Sequence, residues 1–244
     1  MSLSLNATHP SNGLSEYDLH SLYGHKMSEA TYHYLAYDNS SANWGLRPFV
    51  LTRSTFAGTG RYASHWTGDN YRTWDMMRYS IASIMNFNMF GIPQVGADVC
   101  GFFGNGALDE DLCARWIQLA TFYPFARNHY EKDATPSEPY NFIDPDLKST
   151  ARYSMLKRYS FVRMMYTCLF EASMWGTTCF DPMFFHYPTD PKLYDDVESS
   201  FMVANNVKVS PILKPGVRLG EMYNVYFPVG KWASLTEEGQ FVEK

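Results

Sequence analysis

Four polar residues follow short apolar segments of the chain, at the points where these segments give way to loops. They are Arg53, Asp69, Asp98 and His129. A carboxyl group can transfer a proton or accept hydrogen bonds, while guanidinium and imidazole groups can donate hydrogen bonds to a substrate. This set of side chains therefore suits acid/base chemistry on a polar substrate.

Asp69 has the strongest local context of the four. It follows Gly68 and lies close to the imidazole of His65 and the indole of Trp66 in the sequence. A carboxyl group in a partly dry pocket has a raised pKa, which favours the protonated, acid-competent form. We therefore predict that Asp69 is a general acid. An equally compatible interpretation is that Asp69 caps a helix beginning near Tyr71.

Non-catalytic interpretations also fit the other three residues. Asp98 could bond to its own turn, as Asp residues commonly do. Arg53 could be a structural ion-pair partner, and His129 could be a satisfied core histidine. The residue types alone leave these alternatives open.

Motifs for metal or nucleotide sites are missing from the sequence. It contains no HExxH, CxxC, GxSxG or GxxxxGK motif, so we predict no metal site. Residues 58–63 match the loose GxGxxA pattern of dinucleotide sites, but the bulky residues 64–66 follow where a helix should open. This pattern is therefore weak evidence for a dinucleotide.

Composition limits the class of protein further. The 244 residues are 45% hydrophobic and 17% aromatic, which is enough large side-chain surface for a sizeable core. The net charge is −5 and no window is rich in Lys or Arg, so we exclude a nucleic-acid partner. No apolar stretch reaches the roughly 18 residues of a membrane span. We therefore predict a soluble protein without a transmembrane segment in this chain.

Helices and strands alternate in the first part of the chain. Apolar residues recur at helical spacing in 18–35, 74–85, 112–123 and 156–169, and short apolar runs predict strands at 48–52 and, more weakly, at 91–96. Strand-then-helix alternation favours a parallel α/β fold. In a (β/α)8 barrel, polar residues that follow the strands carry the chemistry.

The number of units is too small for a closed barrel. A closed barrel has eight strands in ~250 residues, whereas about four βα units precede Gly176. We predict that residues 1–176 form half of a (β/α)8 barrel. Residues 177–244 contain short β-rich segments at 183–187, 207–213 and 223–227, which predict the start of an antiparallel β-sandwich domain.

Consecutive motifs of the chain resemble those of glycoside hydrolase family 31, in its acid α-glucosidase and maltase branch. The main motifs are segments 53–58, 65–70, 96–102 and 123–129, and the match continues in 22–24, 138–140, 209–213 and 226–232. The resemblance therefore spans nearly the whole chain, in order. It implies that residues 1–176 are the C-terminal half of the catalytic barrel.

The resemblance implies a retaining hydrolase that removes α-linked glucose from non-reducing ends of oligosaccharides, without a metal or organic cofactor. Asp69 corresponds to the acid/base. The residues that correspond to polar contacts of the terminal glucose hydroxyls are Arg53, Asp98 and His129. Those that correspond to the apolar walls of its site are Trp66 and Phe102.

The chain departs from the family pattern at two points. A retaining mechanism requires a second carboxylate, which in this family lies in a Trp-x-Asp-Met-Asn-Glu motif on an earlier strand, and this sequence has no such motif. We expect that Met1 begins downstream of that strand, in a fragment that is inactive alone. A non-catalytic carbohydrate-binding relative is the alternative. The second departure is Asp181, where the family usually has Arg before Pro182.

The cysteines have different expected roles. The family often bridges the pair that corresponds to Cys100 and Cys113, so the resemblance implies a disulfide there, with two buried thiols as the alternative. Cys168 lies on the apolar face of the last predicted helix, where it is expected to pack as a thiol. The role of Cys179 stays open.

Two sequons and an even cysteine count favour the secretory route. Asn6 and Asn39 each begin an Asn-x-Ser/Thr sequon and are candidate glycosylation sites. Residues 1–6 lack the basic and apolar regions of a signal peptide. We therefore expect a lysosomal, vacuolar or extracellular protein whose natural N-terminus lies further upstream.

Overall fold

The computed structural model describes residues 3–217, 221, 223–235 and 241–243. Within these residues, the α-helices are α1 (Glu16–Leu19), α2 (Tyr23–Tyr37), α3 (Trp74–Met89), α4 (Glu110–Ala120), α5 (Pro145–Trp175) and α6 (Met183–His186). The strands are β1 (Leu51–Thr52), β2 (Ser64–Trp66), β3 (Val95–Gly96), β4 (Asp98–Val99), β5 (Arg127–Asn128), β6 (Phe180–Pro182), β7 (Phe201–Val203), β8 (Val207–Val209), β9 (Lys231–Ala233) and β10 (Phe241–Glu243).

The strands of the first part pair in parallel, as the alternation predicts. β2 lies between β1 and β3, with Thr52 opposite His65 and Trp66 opposite Gly96. β4 pairs in parallel with β5. Because parallel strands end at the same edge, the loops that follow β1, β2 and β5 leave the sheets in a common direction. The strand predicted at 48–52 is shorter than expected, since only Leu51–Thr52 pairs.

Side-chain caps fix where the predicted helices begin. Thr73 accepts a hydrogen bond from the Met76 backbone and starts α3, and Asp109 accepts one from Leu112 and starts α4. Asp144 caps α5, which is twice as long as its predicted periodic stretch and ends at Gly176 in the left-handed conformation. The helix predicted at 18–35 is interrupted by a 3₁₀ turn at His20–Leu22.

Residues after Gly176 form antiparallel strands, with a different distribution from the predicted one. β7 pairs with both β6 and β8, and β9 pairs with β10. The strand predicted at 183–187 is wrong, because residues Met183–His186 form helix α6. Strand β6 ends at Pro182, which has no N–H to continue the ladder. No strand forms in the described residues of 223–227.

One hydrophobic core joins the two parts of the chain. Its largest fully buried side chains are Trp116, Tyr123, Phe142, Phe180 and Phe201. The ring of Phe180 on β6 stacks on Phe201 with centroids 4.1 Å apart and lies 6.4 Å from that of Tyr123. Helix α3 therefore packs against β6 across the same core that supports the parallel strands.

Candidate active site

The two polar groups after β1 and β2 lie side by side. Thr52 is paired with His65, so Arg53 and the loop containing Asp69 leave neighbouring strand ends. Arg53 Nη1 lies 3.7 Å from Asp69 Oδ2. The Asp69 side chain is 29% exposed and that of Arg53 is 60% exposed, so both reach solvent. A carboxyl group with this access can exchange protons with a bound molecule.

Asp98 is the fully buried carboxyl group of the site. Its Oδ1 accepts hydrogen bonds from Arg127 Nη2 at 2.6 Å and Nε at 3.1 Å, because β4 and β5 pair Asp98 with Arg127. Its Oδ2 is buried and has no hydrogen-bond partner in the described part of the chain. Burial raises the pKa of Asp98 above its ordinary value, although Arg127 opposes the shift.

The charges of Asp69 and His129 both act on Asp98. The Asp69 charge adds to the rise in the Asp98 pKa, whereas His129 works against it. Asp69 and His129 are therefore close enough to Asp98 to affect its pKa. His129 is exposed, so its interpretation as a core histidine is wrong.

Trp66 and Phe102, which the sequence predicts as apolar walls, each contact a polar residue of this region. The Arg127 guanidinium lies 5.1 Å from the Trp66 ring centroid, a cation–π distance. The Trp66 Nε1 atom is buried without a hydrogen-bond partner among the described residues. The ring of Phe102 lies 5.2 Å from the imidazole of His129. Trp66 therefore lies beside the arginine that pairs with Asp98, and Phe102 lies beside His129.

Asn70 connects the Asp69 loop to the loop after β4. Its Nδ2 donates to the backbone carbonyl of Asp98 at 3.0 Å, and its Oδ1 accepts from the backbone N–H of Phe102 at 2.9 Å. The alternative interpretation of Asp69 as a helix cap does not apply, because Thr73 caps α3. The sequence analysis did not predict this role of Asn70. The only signal was the residue type, since Asn is common in loops.

Arg72 is a second supporting residue that sequence reasoning missed. Its guanidinium donates to three backbone carbonyls, those of Cys100 at 3.0 Å, Gly104 at 3.4 Å and Thr135 at 3.1 Å. Burial lowers the pKa of Arg72, and no carboxylate contributes to this shift. Arg72 therefore holds the loop that carries Phe102 through backbone contacts that no sequence motif encodes.

Two disulfides are present. Cys100 is bonded to Cys113, which ties the loop after β4 to helix α4. Cys168 is bonded to Cys179, which ties α5 to β6. The prediction that Cys168 packs as a free thiol is therefore wrong. The last turns of α5 and the following residues bring the two cysteines together, with a Cα–Cα distance of 5.7 Å that is typical of a disulfide.

The remaining predicted sites lie outside this cluster. Asn6 and Asn39 are both exposed, so their side chains are accessible. In the described ranges of the chain, no group of three or more His, Cys, Asp or Glu side chains could hold a metal ion. No helix in those ranges is long and apolar enough to cross a membrane. Residues Thr59–Arg61 of the glycine-rich segment form a 3₁₀ turn rather than the helix of a dinucleotide site.

Two family models match the chain. One, described as the glycosyl hydrolases family 31 TIM-barrel domain, matches residues 3–168. The other, described as the glycosyl hydrolase family 31 C-terminal domain, matches residues 176–244. The two matches together cover nearly the whole sequence.

Similar curated proteins are α-glucosidases. The α-glucosidase of Aspergillus niger is 44% identical over 87% of this chain and 21% of its own length. That of Hordeum vulgare is 42% identical over 91% of this chain and 24% of its own length. The lysosomal α-glucosidase of Rattus norvegicus is 41% identical over 91% of this chain and 22% of its own length. The chain thus spans less than a quarter of the length of these relatives.

Solved structures with a similar fold include a glucosidase and a cycloalternan-degrading enzyme. The Tris-bound glucosidase II alpha subunit matches with a TM-score of 0.77 and 35% identity, over 88% of this chain and 22% of that one. The cycloalternan-degrading enzyme from Trueperella pyogenes matches with a TM-score of 0.87 over 99% of this chain and 33% of its own. Its 22% identity indicates a similar fold alone.

Proposed function

The chain belongs to glycosyl hydrolase family 31, and from this premise we propose that it is part of a retaining α-glucosidase in which Asp69 is the acid/base. One observation carries this proposal. The Asp69 carboxyl group is partly exposed at the end of a parallel strand, 3.7 Å from the Arg53 guanidinium. A neighbouring cation stabilises the carboxylate after its proton has been transferred.

The proposed reaction has two proton transfers at Asp69. In the first step, the protonated carboxyl group gives its proton to the glycosidic oxygen and the bond from this oxygen to the anomeric carbon breaks. The nucleophilic carboxylate forms an ester bond to the anomeric carbon, and the leaving sugar departs as an alcohol. In the second step, the Asp69 carboxylate removes a proton from water as the water oxygen attacks the anomeric carbon, and the ester bond breaks to release the nucleophile as a carboxylate. The second step restores the protonated Asp69.

The nucleophile is the part of this mechanism that the sequence does not supply. A retaining hydrolase holds a second carboxylate ~5–5.5 Å from the acid and forms a covalent glycosyl ester with it. This sequence has no Trp-x-Asp-Met-Asn-Glu motif. We propose that the nucleophile lies in the portion of the longer relatives that this chain does not span, and that the chain alone does not hydrolyse maltose.

The groups around Asp69 suit a terminal glucose unit. Arg53 and His129 are exposed and can hydrogen-bond to its hydroxyls. The family resemblance makes Asp98 a third proposed contact, and its Oδ2 atom lies buried without a hydrogen-bond partner among the described residues. Hydrogen bonds to ionised groups are stronger than neutral ones, and those that tighten on an oxocarbenium-like sugar lower the barrier. Trp66 and Phe102 supply the apolar walls. The proposed substrate is therefore an α-linked gluco-oligosaccharide.

The architecture that we propose is half of a (β/α)8 barrel in residues 1–176, followed by part of a β-sandwich domain in 177–244. Two groups of parallel strands, β1–β3 and β4–β5, support the first part, and the antiparallel strands after Gly176 support the second. An open half-barrel requires further strands to close it. We propose that these strands lie in the same portion of the longer relatives as the nucleophile.

We further propose the secretory route for this protein. The two disulfides, Cys100–Cys113 and Cys168–Cys179, are typical of proteins that fold in oxidising compartments. The sequons at Asn6 and Asn39 are exposed and accessible to glycosylation. Mass spectrometry of the protein from its source tests both glycans directly, since each adds a defined mass to its tryptic peptide.

The decisive experiment replaces Asp69 by Asn in a full-length polypeptide that contains this chain. We expect hydrolysis of an aryl α-glucoside to fall by about 10²–10⁴-fold, as for the loss of a general acid/base. Asp75→Asn is the matched control, because Asp75 is an exposed carboxylate nearby at the start of α3. Normal turnover by the Asp69 variant would show that Asp69 is not the acid/base.

A second measurement separates acid/base catalysis from a structural effect. Asp69→Ala leaves space for azide, which requires no proton removal and can attack the glycosyl ester directly. Rescue by azide with formation of an α-glucosyl azide supports the role, because the product retains the configuration. Loss of activity without rescue, in a variant that still binds the sugar, contradicts it.

A non-catalytic carbohydrate-binding protein is the alternative, and the missing nucleophile motif favours it. Wild-type full-length protein that binds maltose without any turnover would support this alternative. Turnover by the wild type, abolished in Asp69→Asn, excludes it.

A further inference from the structure

A second polar site surrounds Lys208, in the antiparallel part of the chain. Lys208 lies on β8, and its Nζ donates to Ser200 Oγ at 3.1 Å and to Ser210 Oγ. The same Nζ stands 4.4 Å from the ring centroid of Phe227, a cation–π contact. The ammonium group is therefore fixed in position rather than extended into water.

The charge of Lys208 is not balanced by an acid. Among the residues that the structure describes, no carboxylate forms an ion pair with it. Burial lowers the pKa of Lys208 to about 8. A partly buried cation without an anion is costly, since the hydroxyls and the aromatic ring replace only part of its hydration. An anion from outside the chain would offset this cost.

A cavity of about 470 Å³ opens beside the ammonium group. Its lining residues are Lys208, Ser210, Tyr223, Asn224, Val225 and Phe227. A second cation, Lys214 Nζ, lies 5.8 Å from the ring centroid of Tyr223. The cavity thus combines a fixed positive charge, an amide and two aromatic rings, and it is of the size of small-molecule sites.

The serine hydroxyls leave one donor for a ligand. Ser200 Oγ and Ser210 Oγ are 2.8 Å apart, and either can be the donor in their mutual hydrogen bond. Both oxygens accept from Lys208, so only one of the two hydroxyl protons is used between them. When Ser200 is the donor, the proton of Ser210, which lines the cavity, is free, and this proton and the ammonium charge can both act on one oxyanion there.

We propose that this cavity binds a small organic anion, with a carboxylate or phosphate group on Lys208 and Ser210 and a ring-shaped body against Tyr223 and Phe227. The oxyanion neutralises the ammonium group, and the ring packs between the aromatic walls. None of the lining residues belongs to the cluster around Asp69, so this site is independent of the proposed hydrolase function.

Calorimetric titration of the purified protein tests the proposal with four probes: benzoate, phenyl phosphate, inorganic phosphate and phenol. We expect benzoate, phenyl phosphate or both to bind at least tenfold more tightly than inorganic phosphate and phenol. Comparison of the two organic anions shows whether the site prefers carboxylate or phosphate. These probes contain no sugar, so the result does not depend on the Asp69 site.

Lys208→Met keeps most of the side-chain length and removes the charge. We expect it to weaken binding of the preferred anion at least tenfold, whereas Lys148→Met, at an exposed position of α5, leaves it unchanged. Ser210→Ala, a smaller change, should weaken binding severalfold and keeps the test valid if the Lys208 variant does not fold.

Several results would each overturn the proposal. They are equal affinity of the wild type and the folded Lys208 variant, binding of phenol as tight as that of the organic anions, and absence of binding by both organic anions. Tight binding of inorganic phosphate alone would equally contradict a site built for an organic body.

Discussion

The guanidinium of Arg53 packs directly on the backbone of Gly68. A Cβ atom at position 68 would stand 3.0 Å from Arg53 Nε and 3.3 Å from Nη2. Gly68 also has a φ of +84°, in the left-handed region that L side chains rarely adopt. The glycine therefore lets Arg53 approach the loop that carries Asp69.

The change Gly68→Ala should separate Arg53 from Asp69. We expect the methyl group to displace the guanidinium and to reduce hydrolysis by the full-length polypeptide at least tenfold, because small misplacements at a reacting centre have large effects on rate. Strain at a positive φ should also cost about 1 kcal/mol of unfolding free energy. Kinetics with an aryl α-glucoside and thermal unfolding measure the two effects.

Gly45→Ala is the matched control for Gly68→Ala. Gly45 has a φ of +76°, and an added Cβ would meet nothing within 4 Å. Both variants should lose similar stability, but only the first should lose activity. Equal activity of the two variants would show that the Arg53 contact has no functional role.

Asp98 should contribute more to sugar binding than to the stability of the fold. Its raised pKa means that the native state binds the Asp98 proton more tightly than the unfolded state does, so the contribution of this proton to stability is present below the unfolded pKa of ~3.9 and is lost as pH rises through the folded value. Asp98→Asn, which is always neutral, should therefore remove this pH dependence of the unfolding free energy. Its sugar affinity should fall by about tenfold or more, as for a lost charged hydrogen bond.

Unfolding measured in denaturant from pH 3 to 7 tests the sign of this effect. The stability difference between Asp98→Asn and wild type should open as pH rises above about 4. Asp195→Asn, at an exposed carboxylate, is the control and should show no such trend. A stability difference that does not change between pH 3 and 7 would contradict the raised pKa of Asp98.

The positions of the polar cluster could be predicted from sequence because they follow from one regularity. Short apolar strands that alternate with helices pair in parallel, so the residues that follow the strands meet at one edge. Arg53 and Asp69 are in contact for this reason. The family resemblance assigned roles to these residues, which their types alone left open.

Other parts of the fold depend on contacts that no local pattern encodes. Asn70 and Arg72 support the site through backbone carbonyls and N–H groups of a loop far along the chain. The strand predicted at 183–187 failed because an apolar run of that length fits a short helix equally well. The Cys168–Cys179 disulfide depends on how α5 ends, at Gly176, and therefore on three-dimensional geometry.

The Cys168–Cys179 disulfide should stabilise the join between α5 and β6. It closes a loop with a sequence separation of 11 residues, for which the chain-entropy model gives about 3 kcal/mol. We expect the double variant Cys168→Ala/Cys179→Ala to lose about this unfolding free energy under non-reducing conditions. Loss of less than about 1 kcal/mol would show that packing alone holds these elements together.

Asn88 makes a further connection between the two parts of the chain. This buried residue of α3 accepts hydrogen bonds at Oδ1 from the backbone N–H groups of Cys179 at 2.9 Å and Phe180 at 3.2 Å. Its Nδ2 donates to the carbonyl of Ile84 at 2.9 Å. Removal of the amide would leave two buried donors at the start of β6 without partners, each at a cost of about 1–3 kcal/mol.

The change Asn88→Ala should therefore cost about 2–4 kcal/mol of unfolding free energy. Asn86→Ala is the matched control, because Asn86 is exposed on the same helix and its substitution should change stability by less than about 0.5 kcal/mol. Hydrogen exchange adds a local readout: the amides of Cys179 and Phe180 should exchange faster in Asn88→Ala, while those of the β1–β2 pair keep their protection. Uniform loss of protection would instead indicate one cooperative unit that Asn88 stabilises as a whole, since the core is continuous from α3 to β6.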